Sequence, residues 1–223
     1  MPLKPSSLYH KWDVSPNEAA AIQLSLAGKV SLTPDFEEVR YVAGVDMSAK
    51  DVARAAVVIL SYPELEVLEV QRAEKPLDFP YVPGLLSFRE GPAVLAAFDK
   101  VRQWPDLVFF DGQGIAHPRK FGIASHMGVL LDLPSIGVGK SPLAISGPEP
   151  PLEPGNWVEW TNRRGEVLAA ALRTKLRSKP LYISPGHRID LPTAVQYVLD
   201  SLRGYRLPEP TRQAHNNAAI SEV

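Results

Sequence analysis

Tyr41-Val42-Ala43-Gly44-Val45-Asp46 is an apolar run that closes on a carboxylate. Its β-branched and aromatic residues, free of proline, predict a β-strand, with the polar Ser48 and Lys50 just beyond it. Leu107-Val108-Phe109-Phe110-Asp111 repeats the pattern: a continuous apolar strand, the kind buried on both faces in a parallel arrangement, again ending on an acid. Two such strands bring two carboxylates to one edge of a sheet. Oxygen ligands of that kind hold a hard divalent cation. Asp46 and Asp111 are therefore candidate ligands for magnesium in phosphodiester hydrolysis.

Composition narrows the class. A chain of 223 residues fits one domain, 1–223, and is ample for a single core. The absence of cysteine excludes disulfides and thiolate-ligated zinc or iron–sulfur clusters. It also suits a reducing cytosol, so a cytoplasmic location is the expectation. Met1 to Asp13 have no apolar core, so no signal peptide is expected, and no apolar run approaches a membrane span. A net charge of −1 does not advertise a nucleic-acid partner, which needs local basic clusters. Such clusters exist in Pro118-Arg119-Lys120 and Asn162-Arg163-Arg164.

Along the chain, Ser15-Pro16-Asn17-Glu18 predicts a helix start with a capping box, Ile22 and Leu26 its apolar stripe, and Gly28 its stop. Strands are expected at 40–46, 53–61 and 66–72, joined by short turns and so antiparallel. Phe79-Pro80-Tyr81-Val82-Pro83-Gly84 reads as a stiff extended loop with an aromatic tip. A helix from 85 or 87 to 103 follows, with Val94, Leu95, Phe98 and Val101 on its buried face. Then come the strand 107–111, a polar Gly112-Gln113-Gly114 loop, a helix over 123–132 and a short buried strand over 135–138. The 147–155 segment is a surface loop. Strands over 157–161 and 167–174 form a hairpin, 181–184 is a further strand, and Ser184-Pro185-Gly186 a turn. A helix opening at Asp190 carries apolar spacing from Leu191 to Leu202, and a last helical segment carries His215.

Several residues admit two readings. Asp46 or Asp111 alone could cap a strand end; as a pair on matching strands they point to metal. Ser87-Phe88-Arg89-Glu90 has capping-box spacing, so Glu90 needs no catalytic role to be explained. Gly137-Val138-Gly139-Lys140-Ser141 ends like a phosphate-binding loop, but that motif needs glycine where Pro134 stands. Nucleotide hydrolysis is therefore rejected. Lys140 is instead a lysine leaving a buried strand beside acids, able to contact a phosphate or orient water. His10 and His126 read as surface or packing residues, His187 as structural, and His215 by spacing as an ordinary helix histidine. Gly84, Gly112 and Gly122 have turn-only explanations.

The order of elements is ribonuclease H-like: α/β, a mixed central sheet flanked by helices. The motifs Val42–Asp46, Phe79–Gly84, Phe88-Arg89-Glu90-Gly91-Pro92, Phe110–Gly114 with Ala116-His117-Pro118-Arg119, Gly137–Ser141 and Pro208–His215 together closely resemble endonuclease V. The resemblance implies a magnesium-dependent DNA repair endonuclease, with manganese as a substitute metal. Such an enzyme recognises deoxyinosine and nicks the same strand one nucleotide removed on the 3′ side, leaving 3′-hydroxyl and 5′-phosphate. It implies Glu90 as the third metal acid beside Asp46 and Asp111, with Lys140 and His215 catalytic. It places Tyr81, flanked by Pro80, Val82 and Pro83, as a wedge into DNA, and His117, Arg119 and Lys120 on the substrate backbone. Gly84, Leu86, Gly112, Gly122 and Ile123 become a lesion pocket in which missing side chains let main chain approach the base. Deoxyinosine-containing DNA is the implied partner, and a monomer without membrane contact is expected. Inosine-containing RNA as substrate, or a non-catalytic inosine-binding module, remain the alternatives.

Overall fold

Successive side chains of a strand point to opposite faces, and here the alternation sorts two helical layers. In β1 (Tyr41–Ala49), Ala43 and Val45 face one cluster and Val42 the other. The computed structural model describes residues 8–49 and 51–218; Lys50 and the start of the Met1–Asp13 segment lie outside the described residues. After α1 (Pro16–Ala27), whose capping box forms at Ser15 and Glu18, the chain builds β1, β2 (Ala53–Ser61) and β3 (Val67–Lys75) as an antiparallel ribbon. α2 (Leu86–Phe98) leads to β4 (Leu107–Phe110), and α3 (Ile123–Leu131) to β5 (Ser135–Gly139), both strands parallel to β1. The hairpin β6 (Trp157–Thr161) and β7 (Val167–Leu172) and then β8 (Leu181–His187) complete an eight-stranded mixed sheet, ordered β3-β2-β1-β4-β5-β8-β7-β6. α4 (Leu191–Asp200) and α5 (Glu209–Ala218) follow.

The α2 and α3 side chains Ala93, Val94, Phe98, Ile123 and Met127 pack on Ala43, Val45, Val108 and Phe110. On the other face Ala194, Val195, Val198 and Ala214 from α4 and α5 meet Val42, Phe109 and Val138. The expected helix-flanked mixed sheet is thus the architecture. No helix among the described residues is long and apolar enough to cross a membrane.

Among the boundaries that differ from expectation, three bear on the argument. β1 does not end at Asp46 but runs to Ala49, paired with β2 throughout. Its parallel partner β4 stops earlier, at the Val45–Phe110 pair, so Asp46 stands where the ribbon outruns the centre of the sheet. α2 ends at Phe98 rather than 103, because the Glu69 carboxylate accepts hydrogen bonds from the backbone N–H groups of Arg102 (3.1 Å) and Gln103 (2.9 Å), tying that segment to β3. Ser184-Pro185-Gly186 is not a turn but continues β8 to His187. Proline is tolerated there because β7 pairs with β8 only as far as Ile183, so no ladder bond is lost on that side.

Candidate active site

The acids are delivered by neighbouring strands. The Asp111 backbone N–H donates to Val45 O at 2.9 Å, which fastens the residue after β4 beside Asp46. Asp46 is 6% exposed, and an oxygen of its carboxylate lies within 4.8 Å of one from Asp111. Lys140, immediately after β5, pairs its ammonium with Asp111 Oδ2. Three adjacent strands, β1, β4 and β5, thus put Asp46, Asp111 and Lys140 together at the carboxyl ends of the parallel set, where open α/β sheets bind ligands.

Two helices complete the cluster from opposite layers. His215 on α5 donates from Nδ1 to Asp46 Oδ2 at 2.8 Å; the carboxylate can only accept, so Nδ1 carries the proton. One ligand atom from each of Asp46, Asp111 and His215 lies within 4.8 Å of the other two, a set that could hold a metal ion. Glu90, on α2, is buried near both aspartates but outside that set. Its expected capping-box partner has another use. The helix N-cap is Leu85, and Ser87 is buried, its hydroxyl hydrogen-bonded to His126 Nδ1 at 2.9 Å.

Charge in this cluster is uncompensated enough to shift ionisation. Burial, with the Asp46 charge adding to it, pushes the Glu90 carboxyl up to about 7. Burial and Asp46 also raise Asp111, against the opposing pull of Lys140. Carboxyls held reluctantly in their charged form are the donor set a divalent cation relieves. The residues fit a hard metal.

A cavity of about 310 Å³ adjoins the cluster, lined by Gly84, Leu86, Gly122 and Ile123 and by Tyr81, Val82 and Pro83. It shares two loops with the acids: Gln113 follows Asp111 by two residues, and Ser141 directly follows Lys140. Gln113 Nε2 donates to Ser141 O at 2.8 Å, joining those loops. Gln113, Ser141, Pro142, Leu143, Gln23 and Ser87 are wall residues that sequence reasoning missed. Only the glycine-flanked Gln113 carried any local signal.

The three glycines are also demanded by their protein neighbours. A Cβ on Gly122 would lie 2.3 Å from Gln113 O, one on Gly112 2.6 Å from Ile123 Cγ2, and one on Gly84 3.0 Å from Arg119 Nη2. Their missing side chains admit protein atoms, and Gly112 does not line the cavity. His117 and Arg119 also turn inward, to the same carbonyl. His117 Nε2 and Arg119 Nη2 donate to Gly84 O at 2.9 and 2.7 Å, and Arg119 Nε donates to Gln23 Oε1. The His117 ring, expected on the substrate backbone, is buried, and that burial with the Arg119 charge holds its pKa down to about 4. Lys120 is exposed and paired with Glu166 at 2.7 Å.

Tyr81 is 72% exposed, while Val82 packs with Phe79, Leu85 and Phe88 at the loop base. Pro80 and Pro83 are exposed beside it, and Arg89 Nη1 anchors Phe79 O at 2.9 Å. Of the remaining histidines, His126 is fully buried and within 2.7 Å of His10 through the two Nε2 atoms, and His187 accepts from Ser31 N–H.

Residues 24–216 match the family model described as endonuclease V. A relative named endonuclease V from Gloeobacter violaceus is 50% identical over 212 residues, covering 93% of this chain and 86% of its own length. The crystal structure of endonuclease V from Streptomyces avermitilis superposes with a TM-score of 0.88 at 39% identity, covering 98% of this chain and 96% of that one. Endonuclease V of Ciona intestinalis, in complex with a 24mer DNA containing an inosine followed by a ribo-adenosine, superposes at 0.80 with 30% identity, covering 91% of this chain and 95% of that one.

Proposed function

The chain belongs to the endonuclease V family, and on that footing we propose that it is a magnesium-dependent endonuclease that recognises deoxyinosine in DNA. It nicks the same strand one nucleotide removed on the 3′ side, leaving 3′-hydroxyl and 5′-phosphate. The observation that carries this reading is the convergence of Asp46, Asp111 and His215 ligand atoms within 4.8 Å of one another, beside a cavity walled by the same loops.

Asp46 and Asp111 would hold the ion, with Glu90 and His215 at hand. Held there, magnesium, with manganese as a substitute, would supply stabilisation of charge on the phosphate and a lowered pKa for the attacking water. The protein's own groups do the rest. Lys140 offers a positive charge at the exit of β5, where its ammonium already meets an anionic oxygen of Asp111. It meets a phosphate oxygen in the same way, strengthening as charge builds there. With Nδ1–H held by Asp46, Nε2 of His215 is free to take up a proton from solvent and, as the imidazolium, to pass it to the departing 3′ oxygen. The cavity receives the displaced base. Extrusion costs a few kcal/mol, least for a poorly paired base, and that difference contributes to selectivity.

The test is to incubate the purified protein with inosine-containing and unmodified DNA, with and without magnesium. Nicking of the inosine strand alone, only with metal and at the stated offset, is the expected result. Cleavage of both strands alike would overturn it. A matched RNA strand belongs in the assay because the Ciona protein binds an inosine followed by a ribonucleotide.

A further inference from the structure

Two basic clusters of the sequence, 118–120 and 162–164, meet across a groove of about 850 Å³. One wall is the segment His117 to Lys120, and the other is the β6–β7 turn with Arg163, Arg164 and Glu166. His117 also lines the lesion cavity, so the groove and the cavity share a wall. Four cations, Arg119, Lys120, Arg163 and Arg164, stand there against the single carboxylate of Glu166, in a chain whose net charge is −1. Positive charge is concentrated on this face.

The cations are not equally available. Arg119 is spent on Gly84 O and Gln23, and Lys120 on Glu166. The side chains of Arg163 and Arg164 are exposed and have no hydrogen-bond or ion-pair partner among the described residues. The turn that presents them is pinned: Asn162 Oδ1 accepts from the N–H groups of Arg164 (2.9 Å) and Glu166 (3.1 Å), and Asn162 Nδ2 donates to Glu166 Oε2.

We propose that this groove carries the sugar-phosphate backbone of the strand as it leaves the lesion cavity, with Arg163 and Arg164 as its phosphate contacts and Glu166 as a competitor that holds Lys120 in reserve. The inference rests on the nuclease reading above and extends it to a surface outside the acid cluster. Phosphate contacts position a duplex without reading its bases. They also leave a signature, because each neutralised phosphate adds about 0.9 to the slope of log affinity against log salt for duplex DNA.

The experiment measures binding of an inosine-containing duplex across a salt series, in calcium or without metal so that no strand is cut. The double variant Arg163→Ala/Arg164→Ala is expected to flatten the slope by about 2. Glu166→Gln keeps an acceptor for Asn162 but frees Lys120, and is expected to tighten binding and steepen the slope by up to about 1. Both changes appear equally on unmodified duplex. Duplexes shortened on one flank or the other locate the groove: one of the two truncations erases the difference between the double variant and wild type. Unchanged slopes in the variants, or a difference that survives both truncations, would overturn the proposal, and an acidic protein surface as occupant would give that result. Wild-type protein that nicks inosine DNA while the variants keep its slope loses only the groove; wild-type protein that does not nick loses the nuclease reading.

Discussion

His215 Nδ1 lies 2.8 Å from Asp46 Oδ2 although 169 residues separate them in the chain. The contact depends on a glycine two residues before the acid. At Gly44 a Cβ would lie 1.8 Å from Pro210 O, so the start of α5 rests directly on the backbone of β1. That close approach lets the helix, five residues later, set His215 over Asp46.

Gly44→Ala should therefore lower both the melting temperature and the nicking rate. Overpacking of this kind costs about 1–3 kcal/mol where neighbours can shift, and here the obstacle is backbone. Extra magnesium should not restore the rate, because the histidine is displaced rather than the metal lost. A variant that nicks like wild type would show that α5 need not lie on β1.

Asp46→Asn or Asp111→Asn should abolish nicking while leaving the melting transition cooperative. Amides are poorer magnesium ligands than carboxylates, and removing a charge from a crowded acid cluster does not unfold it. Chelation of the metal from wild type should give the same loss, restored on adding magnesium. Near wild-type rates at saturating magnesium in either variant would misplace the site.

Glu90 makes the metal-free protein sensitive to pH. Its carboxyl titrates at about 7 in the folded chain against 4.5 ordinarily. The unfolded chain therefore loses this proton first, and folding stability falls as pH rises from about 4.5 to about 7, by roughly 3 kcal/mol in all. The buried neutral rings of His117 and His126 act in the opposite sense below 6.5. The readable quantity is thus the difference between wild type and Glu90→Gln. In chelator, Glu90→Gln should be the more stable at pH 8, with the gap closing toward pH 5. Magnesium should raise the wild-type melting temperature more at pH 8 than at pH 5, since ligands bind as carboxylates. A gap independent of pH would remove Glu90 from the charge cluster.

Lys140→Ala should slow single-turnover cleavage more than it weakens binding. The ammonium sits on Asp111, at the exit of β5, where a contact made to developing charge affects the rate rather than the affinity. Equal affinity loss with an unchanged rate would return Lys140 to the ordinary phosphate contacts.

Asp46, Asp111 and Lys140 were legible because a buried strand announces itself locally, and residues at or just past the end of its buried run gather at one end of the sheet. Residue type does not announce direction. Arg119 and His117 look like a basic stripe in the sequence, yet both donate to Gly84 O, a half-buried carbonyl at the Pro83–Gly84 turn that Gln23 also reaches. Ser87 and Glu90 have the spacing of a capping box, but Ser87 lies inside the helix because Leu85 takes the cap position. The cavity walls at Ser141, Pro142 and Leu143 follow from how β5 is laid beside β4, a long-range fact with no local pattern. His215 was readable only through resemblance, since its partner depends on Gly44 and Pro210 meeting.

Tyr81 is the expected wedge into the duplex at the lesion. Its ring is 72% exposed at the rim of the cavity, so it does not pack on its own sheet, while Val82 and Phe79 bury the base of the loop. Pro80 and Pro83 restrict the backbone on either side, so little conformational entropy is lost when the loop meets DNA. An aromatic ring can replace the stacking that a displaced base gives up, worth on the order of 1–3 kcal/mol. Tyr81→Ala should then impair binding and nicking of duplex inosine DNA about 5-fold to over 100-fold, the range those energies span. Single-stranded inosine DNA has no stack to open and should lose much less. The melting temperature should not change, because an exposed ring contributes little to the core. Equal impairment on both substrates, accompanied by a clear fall in melting temperature, would make Tyr81 a structural residue and leave the opening of the duplex to another group.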